Sequence, residues 1–218
     1  RHINKHDIPI EKIKLPASFD SASLLKTRMK FMKRIDDAVL FKRYSETSYP
    51  STVWVSKYKN KEDIVNYNSP QFANMKMLYL LSELVATQQT QNILLPLFNF
   101  DISFKDLKQV APAIAEKIGK HDNEDMFGIS ITEHYFSMMT LREYLEKNIN
   151  KMTDDDLRVL FFQVLHTLHT IQHYYQAFKH NKLDLESIMV YVRNGKSDKK
   201  TKIKVQSTTF EVNTPEYI

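Results

Sequence analysis

Phe178-Lys179-His180-Asn181-Lys182-Leu183-Asp184-Leu185-Glu186-Ser187-Ile188-Met189-Val190 is the stretch on which the fold of this chain turns. It is a loop crowded with imidazole, ammonium, carboxylate and hydroxyl groups that runs into three apolar residues, which read as a short strand. The loop comes after a strong helical pattern. Leu157, Leu160, Phe161, Val164, Leu168, Ile171, Tyr175 and Phe178 recur at helical spacing and mark one inward face. Thr153 followed by Asp154-Asp155-Asp156 starts that helix, because a threonine hydroxyl caps orphan amides and carboxylates favour the positive end of the helix dipole.

Upstream, residues 1–23 are polar, contain Pro9 and Pro16 and show no period, so they read as an extended arm. Leu24–Met32 reads as a short basic helix. Val39–Lys59 alternates and is rich in β-branched and aromatic residues, which predicts two strands around a Ser/Thr/Pro turn at 45–52. Asp63–Tyr67 reads as a third strand. Ser69-Pro70 supplies an N-cap and a first helical residue, for a helix with Phe72, Met75, Leu78, Leu81 and Val85 on one face. Asn92–Phe100 is a further strand, and Ser103–Gly119 is helical but broken by Pro112. Phe127–Tyr135 is a strand, and Thr140 with Glu143 forms a capping box for a helix that turns Leu141, Tyr144 and Leu145 inward. Two strands, around 188–193 and 202–212, close the pattern. The class is α+β, with a strand-rich part first and helices after it.

The totals narrow the functional classes. The 218 residues contain no cysteine, which excludes disulfides and thiolate metal sites. No run approaches the roughly 18 apolar residues of a membrane span. Only Gly119, Gly128 and Gly195 occur, which is sparse for a nucleotide-binding enzyme. The net charge of +5 is uneven: residues 1–43 hold eleven Lys/Arg against five Asp/Glu, and residues 193–204 hold six against one. Two basic ends on an acidic body predict weak contact with polyanions, although no aromatic interleaving points to nucleic-acid readout. Starting at Arg1 and stopping at Ile218 with no closing helix, the chain reads as a piece of something longer.

Phe161-Phe162-Gln163-Val164-Leu165-His166-Thr167-Leu168, then Ile171-Gln172-His173-Tyr174-Tyr175, then Phe178-Lys179-His180-Asn181, resembles the helix and catalytic loop of protein kinases. The likeness is greatest to the divergent serine/threonine kinases of large cytoplasmic DNA viruses. Glu133-His134-Tyr135, with Leu141-Arg142-Glu143-Tyr144-Leu145 behind it, is similar to the kinase hinge and the helix after it. The resemblance covers Val39 to Tyr217. It implies a basic N-terminal arm at 1–38 with a short helix, a small lobe and hinge at 39–135, and the start of a helical large lobe at 136–218.

The residues that would do kinase chemistry depart from the family's pattern. In kinases the loop Asp accepts the substrate's proton and the loop Asn holds magnesium. Lys182 stands at the Asp position and Ser187 at the Asn position. A cation does not take a proton as a carboxylate does, and a lone hydroxyl is a poor magnesium ligand. The glycine-rich segment is expected between Arg43 and Val53, where Tyr44–Thr52 contains no glycine. The phosphate-gripping Lys is expected near Asn66, with Lys57 as the alternative if the strand lies earlier, and its helix carboxylate falls at Asn74. The second metal ligand is expected at Glu216, within Thr209–Tyr217.

Other chemistry is weaker. His166, His169 and His173 share a helix face near His180, but one straight helix does not easily give three ligands to one metal. Asp184 as a displaced base would require Met189 as a metal ligand, so a loop-capping role fits it better. Asp154–Asp156 fits a capped first turn. Lys182 is expected to pair with Glu186 or Glu216, and Trp54, Met126, Met138 and Met139 to pack the core and hinge. The expectation is a catalytically inactive kinase-like domain with no catalytic or metal residues and no cofactor. It would serve as a binding or structural module, cytoplasmic or in a virion, with protein partners such as capsid or other virion proteins. The alternatives are a divergent active kinase and an unrelated α+β interaction domain with basic arms.

Overall fold

The computed structural model describes residues 20–35, 38–44, 50–66, 68–135, 137–192, 200–205, 207–213 and 216–217. The N-terminal arm before Asp20 and most of the basic 193–204 stretch lie outside the described residues.

Five antiparallel strands form the first sheet: β1 (Arg28–Ile35), β2 (Ala38–Tyr44), β3 (Ser51–Lys57), β4 (Pro96–Ser103) and β5 (Met126–Glu133), in the order β1-β2-β3-β5-β4. The expected helix at Leu24–Met32 is instead a short 3-10 turn, Ser21–Leu25, capped by Asp20, with β1 after it. Lys, Arg and Met favour helices in isolation. Here the ladder to β2 and burial of neighbours such as Leu25 and Phe41 outweigh that local preference. The third strand is therefore β3, and the strand expected at Asp63–Tyr67 is absent. Lys61–Ile64 is a 3-10 turn whose Asp63 carboxylate accepts from the Asn60 amide at 3.1 Å.

The sheet has two different faces. Val39, Phe41, Val53, Val55, Ile102, Phe127, Ile129 and Ile131 bury one face under α2 (Phe104–Val110) and α3 (Pro112–Ile118). Pro112 splits these two helices as the sequence predicts, and Gly119 ends the second in a positive-φ conformation that its missing Cβ permits. The other face carries Leu40, Thr52, Trp54 and Thr132 and looks onto the second half of the chain. The helix α1 (Pro70–Ala86), between β3 and β4 in the chain, buries Leu81, Leu84 and Val85. They pack with Ile93 and with Ile171 of α5 (Asp154–Tyr174).

The second half runs β6 (Met138–Thr140), α4 (Leu141–Asn148), α5, β7 (Met189–Val192), β8 (Lys200–Val205), β9 (Thr208–Asn213) and β10 (Glu216–Tyr217). A small sheet has the order β10-β7-β6, and β8 pairs with β9. The strand expected at 202–212 is thus a hairpin. Thr140 and Glu143 form the predicted capping box of α4. Thr153 and Asp156 form one for α5, where amide donation from Thr153 holds the Asp156 carboxyl below its usual range. Leu141, Tyr144, Leu160 and Val190 make the local core. Phe161, expected on the inward face of α5, is 59% exposed; its neighbour Phe162 turns in against Phe210 of β9, with ring centroids 5.2 Å apart. Among the described residues no helix is long and apolar enough to cross a membrane. An antiparallel five-stranded sheet with helices after it is an α+β architecture compatible with a kinase-like small lobe.

Candidate functional site: the cleft below the first sheet

Side chains alternate faces along a strand, so β3 sorts its own residues. Val53 and Val55 enter the core under α2 and α3, and Lys57 shares their face. Lys57 Nζ donates to Asp125 Oδ2 at 2.7 Å, and this bond holds the Asp125 carboxyl below its usual range. Thr52, Trp54 and Ser56 face the cleft, so β3 presents no cation there. Lys57, the alternative phosphate-binding residue, is turned the wrong way for that role.

Trp54 lies opposite Leu40 in the β2–β3 register. With Leu94, Thr132, Met138 and Met189 it encloses a cavity of about 60 Å³, closed below by Glu186 and Ser187. Pockets for drug-sized ligands span roughly 300–1,000 Å³. The Thr132 hydroxyl, 2% exposed, has no hydrogen-bond partner among the described residues.

The charged loop forms the floor. Asp184 Oδ1 accepts from the amides of Glu186 at 3.0 Å and Ser187 at 2.8 Å. The Ser187 hydroxyl donates to Asp184 O and accepts from the Asp184 amide, both at 2.9 Å. The Ser187 amide, and to a lesser degree the Lys182 charge, keep the Asp184 carboxyl below its usual range. Asp184 is therefore the cap of a tight turn and Ser187 is folded into the same turn. Glu186 is held from two sides: its Oε2 accepts from Lys33 Nζ at 2.8 Å and its Oε1 from Arg142 Nε at 2.7 Å. Its carboxyl is lowered chiefly by the Lys33 bond. Glu186 thus joins Lys33 of the first sheet to Arg142 of α4.

Of the remaining sequence-predicted positions, Asn66 and Asn74 lie away from this floor. Asn66 is an exposed turn residue ahead of α1, accepting from the Asn68 amide at 3.0 Å. Asn74 is exposed on α1. Glu216 pairs with Val192 across β10 and β7, and its side chain lies outside the described residues. With β3 at Ser51–Lys57, the connection between the first two strands becomes Asp36-Asp37, outside the described residues and, like the expected segment, without glycine. Among the described residues no group of His, Asp and Glu is arranged to hold a metal. His166 stacks on Phe162 at 5.9 Å, and burial lowers its pKa.

The residues expected to form a hinge make a hydrogen-bonded corner. Thr52 Oγ1 and His134 Nδ1 are hydrogen-bonded at 2.9 Å in a buried position. Burial, reinforced by the nearby Lys42 charge, pushes the His134 imidazole down to about 4. Glu133 accepts from the Leu95 amide at 2.9 Å and from the Tyr135 hydroxyl at 2.9 Å. Sequence reasoning missed the cleft role of Trp54 and the Lys33–Glu186–Arg142 cluster, because both depend on where β1 pairs.

By sequence, the chain is similar to two viral proteins. The chain is 30% identical over 187 residues to "Uncharacterized protein R402" of Acanthamoeba polyphaga mimivirus, a match covering 86% of this chain and 22% of that protein. It is 26% identical over 148 residues to "Putative serine/threonine-protein kinase R400" of the same virus, covering 62% of this chain and 32% of that protein. These matches support a viral, distantly kinase-like relationship. The chain spans less than a third of either relative's length. No family model matches it.

Proposed function

We propose that this chain is the small lobe and the beginning of the large lobe of a viral kinase-like protein that does not transfer phosphate. It acts as a binding or structural module with protein partners, in the cytoplasm or in a virus particle. The observation that carries this reading is Trp54, which takes the cleft-facing centre of β3 and leaves about 60 Å³ beside it. Triphosphate transfer depends on cations and metals that neutralise charge on the phosphates. The floor instead offers Lys182 at the base position and a Ser187 hydroxyl committed to its own turn. Losses of this kind are coupled, and each removes orders of magnitude in rate.

A second reading has one observation in its favour, the 26% identity to a relative named as a serine/threonine kinase. In that reading Glu216 binds the metal and another group replaces Lys182 as base. Incubation with radiolabelled ATP, magnesium and a generic protein acceptor separates the two. The expected result is no label above background. Label transfer that is abolished by Glu216→Ala would establish the second reading.

A further inference from the structure

One carboxylate in the cleft wall is gripped from two elements that belong to different halves of the chain. Glu186 Oε2 accepts from Lys33 Nζ of β1 at 2.8 Å, and Glu186 Oε1 accepts from Arg142 Nε of α4 at 2.7 Å. Lys33 and Glu186 both line the cavity, one from the first sheet and one from the charged loop. The loop is tied to the second half by its backbone. The Leu141 amide donates to the Ile188 carbonyl at 2.8 Å and the Arg142 amide to the Leu185 carbonyl at 3.1 Å. Breaking the Lys33 bond would leave the loop on α4 and release the sheet from it.

Other links between the halves come from the opposite edge of the sheet. Its order places β1 at one edge and β4 at the other. The loop before β4 and the end of α1 meet α5. Asn92 Nδ2 donates to Thr167 Oγ1 at 3.0 Å, the Tyr174 hydroxyl donates to Gln89 Oε1 at 2.7 Å, and Leu84 and Ile93 pack with Ile171. The β4 edge is thus held largely by apolar burial. The β1 edge is tied by partly exposed ion pairs, which are weak and screened by salt. Between the edges, Leu40, Trp54, Met138 and Met189 surround a void of about 60 Å³. Side chains beside a void lack contact partners there, and methionines re-pack at small cost.

We propose that the Lys33–Glu186–Arg142 cluster is a clasp. It holds the β1 edge of the sheet on the charged loop, and its release swings that edge away and opens the cleft around Trp54. The packing at the β4 edge is the pivot. The proposal rests on the reading that this cleft is the protein's working site, but it requires no nucleotide. Its test therefore fails or succeeds separately from a test of nucleotide binding.

Trp54 is the chain's one tryptophan and lines the cleft, so quenching of its fluorescence by neutral acrylamide reads the opening. The variants are Glu186→Gln and Lys33→Met. The control is Arg158→Gln, which breaks the exposed Arg158–Asp155 pair of α5. Both clasp variants are expected to raise the quenching constant about twofold, as the open population grows. The parent should approach them in about 1 M NaCl, where charges are screened beyond about 3 Å. Salt should not change quenching in Glu186→Gln, and far-UV circular dichroism should match the parent throughout. Parent-like quenching in both folded variants would overturn the proposal. So would an equal rise in Arg158→Gln. If the variants fail to fold, the parent decides: quenching indifferent to salt, after correction with free N-acetyltryptophanamide, would also overturn it.

Discussion

Lys33 and Glu186, 153 residues apart in the chain, are joined at 2.8 Å in the wall of the cleft. Lys33 comes from the first sheet and Glu186 from the charged loop, and Arg142 at the start of α4 completes the cluster. One carboxylate thus ties the first sheet to the second half of the chain.

Because both partners are partly shielded, the tie should be worth more than an open surface pair. Lys33→Ala is expected to cost about 1 kcal/mol in chemical denaturation, and a double-mutant cycle with Glu186→Ala should return a coupling of about 0.5–1 kcal/mol that shrinks in high salt. Additive single effects would show that the pair contributes nothing to stability.

The pH dependence has a defined sign. The His134 pKa falls from 6.5 to about 4 on folding, so between these values the unfolded chain binds a proton that the folded chain refuses. The His134 contribution should be full above about pH 6.5 and decline as pH falls toward 4, a loss of about 3 kcal/mol; at lower pH the carboxyls held below their usual range, Glu186 and Asp125 among them, extend the loss. His134→Gln should flatten most of that slope in denaturation curves at pH 7, 6 and 5. The remainder belongs to His166, whose pKa is also lowered by burial.

Gly128 sits on β5 under the Tyr58 ring. A Cβ built there would meet the Tyr58 hydroxyl oxygen at 3.0 Å and ring carbons at 3.3 Å. The same hydroxyl donates to Asp101 at 2.8 Å. Gly128→Val should displace Tyr58 and cost about 1–3 kcal/mol by overpacking. Adding Tyr58→Ala should not restore the parent's stability, but it should make the effect of the valine smaller than in the parent background.

Asp184 caps a turn, and its carboxylate is taken up by that turn's amides. Asp184→Asn retains an oxygen for the Glu186 and Ser187 amides, so their hydrogen exchange should stay close to that of the parent. Asp184→Ala should speed exchange of those two amides by roughly tenfold. Equal exchange in both variants would remove the capping role.

Several helix boundaries are legible in the sequence because their signals are local. Thr140 with Glu143, Thr153 with its aspartates, and Pro112 each act within one helical turn, and each appears where its chemistry puts it. In the first sheet, sequence patterning runs one strand late. Arg28–Ile35 is made of residues that favour helices, and only pairing with β2 makes it a strand. That slip moves the third strand to Asp63–Tyr67 and the expected phosphate-binding position to Asn66, and it hides Trp54. The pattern of Phe161 fails for a related reason. Helical spacing gives a face, but the hairpin partner Phe210 decides that Phe162 is covered instead.

The central claim, that the cleft no longer serves nucleotide, is tested most directly by thermal denaturation with millimolar ATP, with and without magnesium. A ligand that binds only the folded state must raise the melting temperature. The account predicts no shift in either condition. A magnesium-dependent rise would contradict it and would point to a divergent active kinase.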